Sequence, residues 1–225
     1  MKALTEVEVK ERIARRVAEE LPDGGVVNLG VGIPTLAVDY LPEGKKLFIQ
    51  TENGMLGVGP SPKTSGEAVP NLINASRQPV TEILGSSYFD SAMSFAMIRG
   101  GRVDATVIGG LQISEVGDLA NWRIPGKDIL GPGGAMDLVA GVKKVIVATQ
   151  HTAKDGSPKI IPICTMPLTA LRAVDMIVTE YAVFEFRDHK LFLIEHSNDI
   201  SLEEIAQITT ATYQICNQLK IREVS

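Results

Sequence analysis

One segment of this 225-residue chain combines a carboxylate with residues that shape the backbone. Glu52 stands in the sequence TENGMLGVGP, directly after the apolar run Leu47–Gln50. Asn53 and Gly54 both tolerate positive φ, so they predict a sharp bend immediately after the acid. The glycines and the proline that follow leave little room for solvent-facing side chains, which favours a cleft-facing Glu52 as a candidate catalytic group. The alternative is a solvated acid at the end of a strand.

A second glycine-containing loop, LGVGIPT, contains Gly30 and Gly32 and follows the predicted strand Val26–Leu29. A strand, a glycine loop and then a helix are the context of a dinucleotide-binding fingerprint. The third glycine of that fingerprint is replaced by Thr35, and no clear acidic partner follows, so NAD binding is disfavoured. The loop is either a tight strand-to-helix turn or a wall of a pocket.

A third segment, Gly117–Asp137, contains the only tryptophan, Trp122, and a glycine cluster at Gly131, Gly133 and Gly134. Irregular segments of this length in compact domains are usually functional. Backbone N–H groups of glycines can approach a ligand oxygen closely, which is the geometry of an oxyanion hole. The alternative is that the tryptophan belongs to the core and the glycines only form turns.

Other chemistries lack their signatures. The sequence has no G-x-S-x-G, S-x-x-K, H-E-x-x-H or G-x-x-x-x-G-K-[ST] motif, which disfavours the standard serine, zinc and P-loop mechanisms. His151, His189 and His196 lack metal-ligand spacing, so we expect packing or surface roles for them and no metal site. Cys164 and Cys216 form no C-x-x-C pair, and a reduced, cytoplasmic compartment is expected.

Charge and composition exclude further classes. The chain has 22 Lys and Arg against 27 Asp and Glu, and the resulting net charge of -5 has the wrong sign for coating nucleic acid. No apolar run reaches the roughly 18 residues that a membrane span requires. With 44% hydrophobic and 22% charged residues, the chain has the composition of an ordinary globular protein. We expect one domain over residues 1–225, with no nucleic-acid or membrane partner.

The predicted elements alternate between helix and strand. A helix over Thr5–Leu21 begins with a possible Thr5–Glu8 capping box, and Ser201 with Glu204 predicts a second one. The predicted strands are short apolar runs: Val26–Leu29, Leu47–Gln50, Val103–Ile108, Val145–Ala148 and Met176–Thr179. Further helices are expected over Pro34–Leu41, Tyr88–Ile98 and Leu168–Val174, and a hairpin of Val183–Phe186 with Leu191–Ile194 at the sheet edge. This order predicts an α/β fold with an open, mostly parallel sheet flanked by helices, in which ligands bind beyond the carboxyl ends of the strands.

Ordered motifs through nearly the whole chain resemble the β subunit of the family I coenzyme A transferases, the group of the 3-oxoacid and the acetate- or butyrate-acetoacetate enzymes. The matching segments are RIARRVAEEL, VNLGVGIPT, TENGMLGVGP, FDSAMSFAMIRGGRVD, GDLANWRIPGK, GGAMDLV, KKVIVATQHTAKDG and CTMPLTA. The number and order of the matches make the resemblance specific, whereas any single match would be weak.

The resemblance implies residue roles. The family's S-E-N-G glutamate is the nucleophile and matches Glu52, and the family's Gly-Gly near the reacting carbonyl maps to Gly133 and Gly134, of which Gly134 is the better candidate for an oxyanion-binding N–H. Asn53, Gly54, Gly30 and Gly32 are expected to contact substrate. The implied reaction is ping-pong CoA transfer through a glutamyl-CoA thioester. Its substrate is a short-chain acyl-CoA, with an acid such as acetoacetate as acceptor, and no bound cofactor or metal is required.

The resemblance also implies a partner. In two-subunit members a separate α chain completes the active site and the CoA site, so we expect a hetero-oligomer, α2β2 in composition. Two alternatives stay open at this point: an acyl-CoA hydrolase on the same scaffold, and a non-catalytic ligand-sensing module in which Glu52 is structural.

Overall fold

The computed structural model describes residues 4–64, 66–75, 77–126, 131 and 133–224. Its helices are α1 (Glu6–Glu20), α2 (Ile33–Leu36), which continues as a 3-10 helix (Ala37–Tyr40), α3 (Ser91–Arg99), α4 (Ala135–Gly141) and α5 (Leu202–Ile208). Its strands are β1 (Val26–Leu29), β2 (Phe48–Thr51), β3 (Met55–Val58), β4 (Glu82–Tyr88), β5 (Ala105–Ile108), β6 (Gln112–Ser114), β7 (Leu119–Ala120), β8 (Val145–Ala148), β9 (Ile160–Ile161), β10 (Met176–Val178), β11 (Ala182–Arg187), β12 (Lys190–Ser197) and β13 (Gln214–Arg222).

In this described part of the chain, ten strands form one sheet in the order β13-β12-β11-β10-β8-β5-β1-β2-β3-β4. The central strands β10, β8, β5, β1 and β2 are parallel neighbours. On one side β3 and β4 continue the sheet antiparallel, and on the other β11 and β12 do so, followed by β13 parallel to β12. A smaller sheet has the order β7-β6-β9. The predicted α/β class with an open, mostly parallel sheet is confirmed, whereas the single domain over residues 1–225 stays a prediction.

The centre of the large sheet is covered on both faces, which explains its uninterrupted apolar strands. Every residue of β5 and of β8 is buried, as is typical of parallel strands between two helical layers. Val9, Ile13 and Val17 of α1 pack on one face. Val139 of α4 and Ile205 of α5 belong to the core on the other face.

Both predicted capping boxes form. The Glu8 N–H donates to Thr5 Oγ1 at 3.2 Å, and the Thr5 N–H donates to Glu8 Oε2 at 2.7 Å. Ser201 and Glu204 exchange the same pair of hydrogen bonds at the start of α5. Such caps satisfy N–H groups that have no partner within the helix, and each contributes about 1 kcal/mol. The starts of α1 and α5 are therefore fixed by local sequence.

The helix predicted over Leu168–Val174 is wrong. The backbone N–H of Thr169 donates to the carbonyl of Leu119 at 2.6 Å, and that of Ala173 donates to the carbonyl of Gly117 at 3.0 Å. These donors are used across the fold, beside β7, instead of along a helix. Tertiary hydrogen bonding here overrides the local helix preference.

Other predictions differ from the structure in position or bounds. The hairpin of β11 and β12 forms, but β13 lies beyond it, so it is not at the sheet edge. The segment Gly117–Asp137 contains β7 and the start of α4, and residues 127–130 and 132 lie outside the described ones. Tyr88 ends β4, and the helix predicted from it begins at Ser91. Across the described residues, no helix is long and apolar enough to cross a bilayer.

Candidate active site

Glu52 lies in the turn of a β-hairpin. β2 ends at Thr51 and β3 begins at Met55, so Glu52, Asn53 and Gly54 form the connection. The Gly54 N–H donates to the carbonyl of Thr51 at 3.0 Å and closes the turn. The Glu52 side chain is partly exposed. It lies at the carboxyl end of a parallel strand, where sheets of this kind bind ligands.

The hairpin is fastened on one side to the segment between β4 and α3. Gly54 has a φ of 121°, and a Cβ built on it would overlap the carbonyl oxygen of Phe89. The Phe89 N–H donates to the Gly54 carbonyl at 2.9 Å. Only glycine allows this approach, so Gly54 fixes where the hairpin turns, and its predicted contact with substrate stays a prediction.

On the other side, residues 73–75 hold the turn. Asn53 Nδ2 donates to the carbonyl of Ile73 at 2.9 Å. Thr51 Oγ1 donates to Asn53 Oδ1 at 2.7 Å and accepts from the Ala75 N–H at 3.0 Å. The Asn53 side chain therefore fixes the position of the turn, and its predicted role in binding substrate is a separate prediction.

A buried amide donor faces the carboxylate. Asn28 of β1 is 1% exposed, and its Nδ2 lies 3.4 Å from Glu52 Oε2. Asn28 pairs with Gln50 across β1 and β2, and its Nδ2 also donates to Gln50 Oε1 at 2.8 Å. Gln50 Nε2 in turn donates to Ser94 Oγ of α3 at 2.7 Å. The parallel pairing of β1 and β2 thus places a neutral hydrogen-bond donor beside the acid.

Gly134 lies against the Glu52 side chain. It is buried and is the residue that precedes the first turn of α4. A Cβ built on it would lie 3.3 Å from Glu52 Cγ and 3.1 Å from Phe95 Cε1. The position must stay small because the carboxylate chain and the Phe95 ring both pack on it. The structure therefore brings two of the predicted site residues, Glu52 and Gly134, into contact distance.

The remaining predicted glycines are arranged differently. Gly133 is exposed, has a φ of 54°, and has open space where a Cβ would stand. The Gly30 N–H donates to the carbonyl of Val107 at 2.8 Å, which ties the end of β1 to β5. Gly32 is exposed with a φ of 91° at the start of α2. Gly30 and Gly32 shape the loop after β1, next to the strand that precedes Glu52, and their contact with substrate stays a prediction.

Sequence reasoning missed Asn28, Gln50 and Ser94. The signal was present for two of them, because Asn28 and Gln50 are polar residues inside apolar strands (VVNL and FIQT). Buried polar groups in strands must be hydrogen-bonded, so each predicts a partner. Ser94 carried no such signal, since a serine in a nine-residue helix is ordinary.

Two cavities lie near this end of the sheet, and Glu52 lines neither. A cavity of about 570 Å³ lies at the carboxyl ends of β5 and β8 and includes Lys159 and Glu180. Burial lowers the pKa of the Lys159 amine and raises the pKa of the Glu180 carboxyl. A smaller cavity of about 110 Å³ touches Thr51 and Ala75 beside the hairpin. Among the described residues, no three His, Cys, Asp or Glu side chains are grouped to hold a metal ion.

Comparison with known proteins adds the family context. The model of the family described as Coenzyme A transferase matches residues 10–207. The chain is 53% identical over 213 residues to the acetate CoA-transferase subunit beta of Escherichia coli (strain K12), covering 95% of this chain and 97% of that relative. It is 47% identical over 213 residues to the mitochondrial succinyl-CoA:3-ketoacid coenzyme A transferase 2A of Rattus norvegicus, covering 94% of this chain and 41% of that relative.

A solved structure has the same fold. The acyl-CoA transferase YdiF of Escherichia coli O157:H7 superposes with a TM-score of 0.75 at 24% identity, covering 99% of this chain and 44% of that one. The chain therefore spans less than half the length of YdiF and of the rat enzyme.

Proposed function

The chain belongs to the coenzyme A transferase family, and on that premise we propose that Glu52 is the nucleophile of a CoA-transferase acting on short-chain acids. The observation that carries the proposal is the placement of this one carboxylate. It lies at a strand end, partly exposed, with Asn28 Nδ2 3.4 Å from Oε2 and with Gly134 packed on its Cγ. A carboxylate in this position can be acylated while nearby donors hold a negative oxygen.

The first half-reaction has two steps. Glu52 attacks the thioester carbonyl of an acyl-CoA, and collapse of the tetrahedral adduct expels the CoA thiolate and leaves a mixed anhydride. The thiolate then attacks the glutamyl carbonyl of that anhydride, which releases the donor acid as its carboxylate and leaves a glutamyl-CoA thioester. The second half-reaction is the reverse sequence with the acceptor acid. Charge and atoms balance at each step without a metal or a redox cofactor.

Two groups are proposed to stabilise the oxyanions that form in the two attacks. The Asn28 side-chain amide faces Glu52 Oε2 and is proposed to stabilise the oxyanion formed at the glutamyl carbonyl. The backbone N–H of Gly134, with Gly133 next to it, is proposed to stabilise the oxyanion formed at the substrate carbonyl. Removal of one such donor in other enzymes costs about 2.7–4 kcal/mol of transition-state stabilisation. Water must be kept from the glutamyl thioester, since its hydrolysis would waste the activated acyl group.

The names of the relatives support proposals for the substrates and the partner. Their names include acetate and a 3-ketoacid, which supports donors such as acetyl-, butyryl- or succinyl-CoA and acceptors such as acetate or acetoacetate. The coenzyme A thioester is a substrate in this scheme, and no cofactor is resident. The 53% identical relative is named a beta subunit, so we propose a separate α subunit and an α2β2 assembly. A cytoplasmic location is proposed because Cys164 and Cys216 form no C-x-x-C pair.

Trapping the thioester tests the proposal. The chain, co-expressed with its partner subunit, is incubated with an acyl-CoA without acceptor acid and then treated with borohydride. We expect mass spectrometry to find the alcohol derived from glutamate at position 52. Glu52→Gln removes the nucleophile and is expected to lower the transfer rate by about a thousandfold or more.

Glu67→Gln is the matched control, because Glu67 is an exposed acid in the connection between β3 and β4. It should keep the parent rate. Normal transfer by Glu52→Gln, or reduction at another residue, contradicts the proposal. Consumption of acyl-CoA at the same rate with and without acceptor acid assigns hydrolysis instead of transfer.

A further inference from the structure

The Asn28 amide has one orientation, because its nitrogen lies within hydrogen-bond distance of three oxygen atoms. Nδ2 contacts Gln50 Oε1 at 2.8 Å, the Gln50 carbonyl at 3.2 Å and Glu52 Oε2 at 3.4 Å. A flipped amide would place Oδ1 against these three oxygens. The nitrogen is therefore assigned from the network and not from shape alone.

This orientation has a cost. Asn28 Oδ1 is buried and has no hydrogen-bond partner among the described residues. An isolated buried acceptor of this kind is unfavourable and needs a cause elsewhere in the structure. The 3.4 Å contact with Glu52 is too long to hold the amide by itself, so the 2.8 Å hydrogen bond to Gln50 is the stronger constraint.

Gln50 is itself held in one orientation. It is 1% exposed, and its Nε2 donates to Ser94 Oγ at 2.7 Å. Ser94 is 0% exposed and lies in α3, whose first turn is capped by Asp90 through a hydrogen bond from the Met93 N–H. Asn28 Nδ2 faces Gln50 Oε1, which leaves Nε2 to donate to the Ser94 hydroxyl. The hydrogen bond to Ser94 then holds the Gln50 side chain in place against Asn28.

We propose that Gln50 and Ser94 are positioning residues of the transferase reaction. Ser94 fixes Gln50, Gln50 fixes Asn28, and Asn28 presents its N–H to Glu52 Oε2. This chain of hydrogen bonds keeps the nucleophile in one rotamer. When Glu52 is converted into the glutamyl thioester, the same Asn28 N–H faces the thioester oxygen. This inference rests on the proposed nucleophile, but it assigns two residues that act through Asn28.

The test uses Gln50→Leu, Ser94→Ala and the double variant in the assembled enzyme, with steady-state kinetics and the single-turnover rate of thioester formation. Gln50→Leu is expected to lower kcat about 30-fold with KM unchanged, and Ser94→Ala about fivefold, in proportion to the buried hydrogen bonds removed. The double variant should be no slower than Gln50→Leu, because Ser94 acts only through Gln50.

Ser114→Ala is the matched control, since Ser114 is also a 0% exposed serine with hydrogen bonds, here from the N–H groups of Val116 and Asp118. It should lower the unfolding midpoint and leave kcat unchanged. Parent kcat in Gln50→Leu, or multiplicative losses in the double variant, overturns the positioning role while an inactive Glu52→Gln still supports the nucleophile. An active Glu52→Gln overturns the proposed function itself.

Discussion

Two sets of buried polar groups lie near strand ends, one beside Glu52 and one around His151. The set around His151 is closed, meaning that both nitrogens of the buried ring have hydrogen-bond partners, whereas the set beside Glu52 contains an oxygen that is unpaired in the described part of the chain. His151 is 0% exposed, with Nδ1 3.0 Å from Thr179 Oγ1 and Nε2 2.8 Å from Thr209 Oγ1. Beside Glu52, Asn28 Oδ1 is left without a partner among the described residues, and the carboxylate is partly exposed. A satisfied network stabilises a fold, whereas an open one keeps hydrogen-bonding capacity for another molecule.

The hydroxyl groups around His151 are themselves tied to the protein. Thr179 Oγ1, which contacts His151 Nδ1, also accepts from the backbone N–H of Ala182 at 2.9 Å. Thr209 Oγ1 is the partner of the other ring nitrogen, Nε2. Burial lowers the pKa of His151 to about 4, which keeps the ring neutral at physiological pH. The two regions should therefore respond differently to mutation, the first in rate and the second in stability.

Among substitutions that leave Glu52 itself in place, the largest effect is expected at Gly134. In Gly134→Ala, the new methyl group lies 3.3 Å from Glu52 Cγ and 3.1 Å from the Phe95 ring, so at least one of them must move. Displacing a nucleophile by about 1 Å lowers turnover by about 100-fold. We expect that loss in kcat, with an unfolding midpoint close to that of the parent, measured by steady-state kinetics and thermal denaturation.

Gly109→Ala is the control for that substitution, because a Cβ at Gly109 meets no atom within 4 Å. It should keep kcat within about twofold of the parent. A Gly134→Ala enzyme that is as active as Gly109→Ala would show that the packing against Glu52 does not matter for turnover.

The sequence predicted the parts of the fold whose signals are local. β1 and β8 have the bounds that their apolar runs indicate, and both capping boxes form where the Ser/Thr and Glu spacing places them. β4 and β13 were missed because most of their residues are exposed, so their strand character depends on the neighbour that they pair with. The hairpin whose turn contains Glu52 was predicted only as a bend, since β3 is specified by its pairing with β2 and β4.

The residues of the candidate site also differ in how far the sequence could predict them. Glu52 and Gly134 were predicted by resemblance to a family, and spacing alone would not place residues 82 positions apart in contact. Asn28 faces Glu52 only because β1 and β2 pair in one register, and Ser94 reaches Gln50 only because α3 packs over that pair. Relations of this kind arise from tertiary structure and leave no pattern within a single segment.

A smaller effect is expected from the protonation of His151. The folded pKa of about 4 is below the unfolded value of 6.5, so the unfolded chain binds the proton first as the pH falls. Stability from this residue is complete above pH 6.5 and is lost as the pH falls toward 4. At pH 5 the loss is about 2 kcal/mol in the free energy of unfolding, measured by urea denaturation at pH 7 and pH 5.

The His151→Gln variant should lack this component, and His189→Gln, which changes an exposed histidine, should retain it. Comparing variants is necessary because Glu180, whose carboxylate accepts from the backbone N–H of His151, acts in the opposite direction. Burial raises the pKa of Glu180, so its protonation favours the folded state as the pH falls. Equal pH dependence in the parent and in His151→Gln would contradict the neutral, closed network.

The smallest effect separates the two regions most cleanly. Thr209→Val keeps the shape of the side chain and removes the hydroxyl that is hydrogen-bonded to His151 Nε2, so the buried ring nitrogen loses its partner. We expect a loss of about 1 kcal/mol in the free energy of unfolding and an unchanged kcat. Thr210→Val, at the exposed neighbouring position, should change neither quantity. If Thr209→Val lowered kcat while the protein stayed folded, the His151 network would belong to the catalytic region, and the division drawn between the two sets would be wrong.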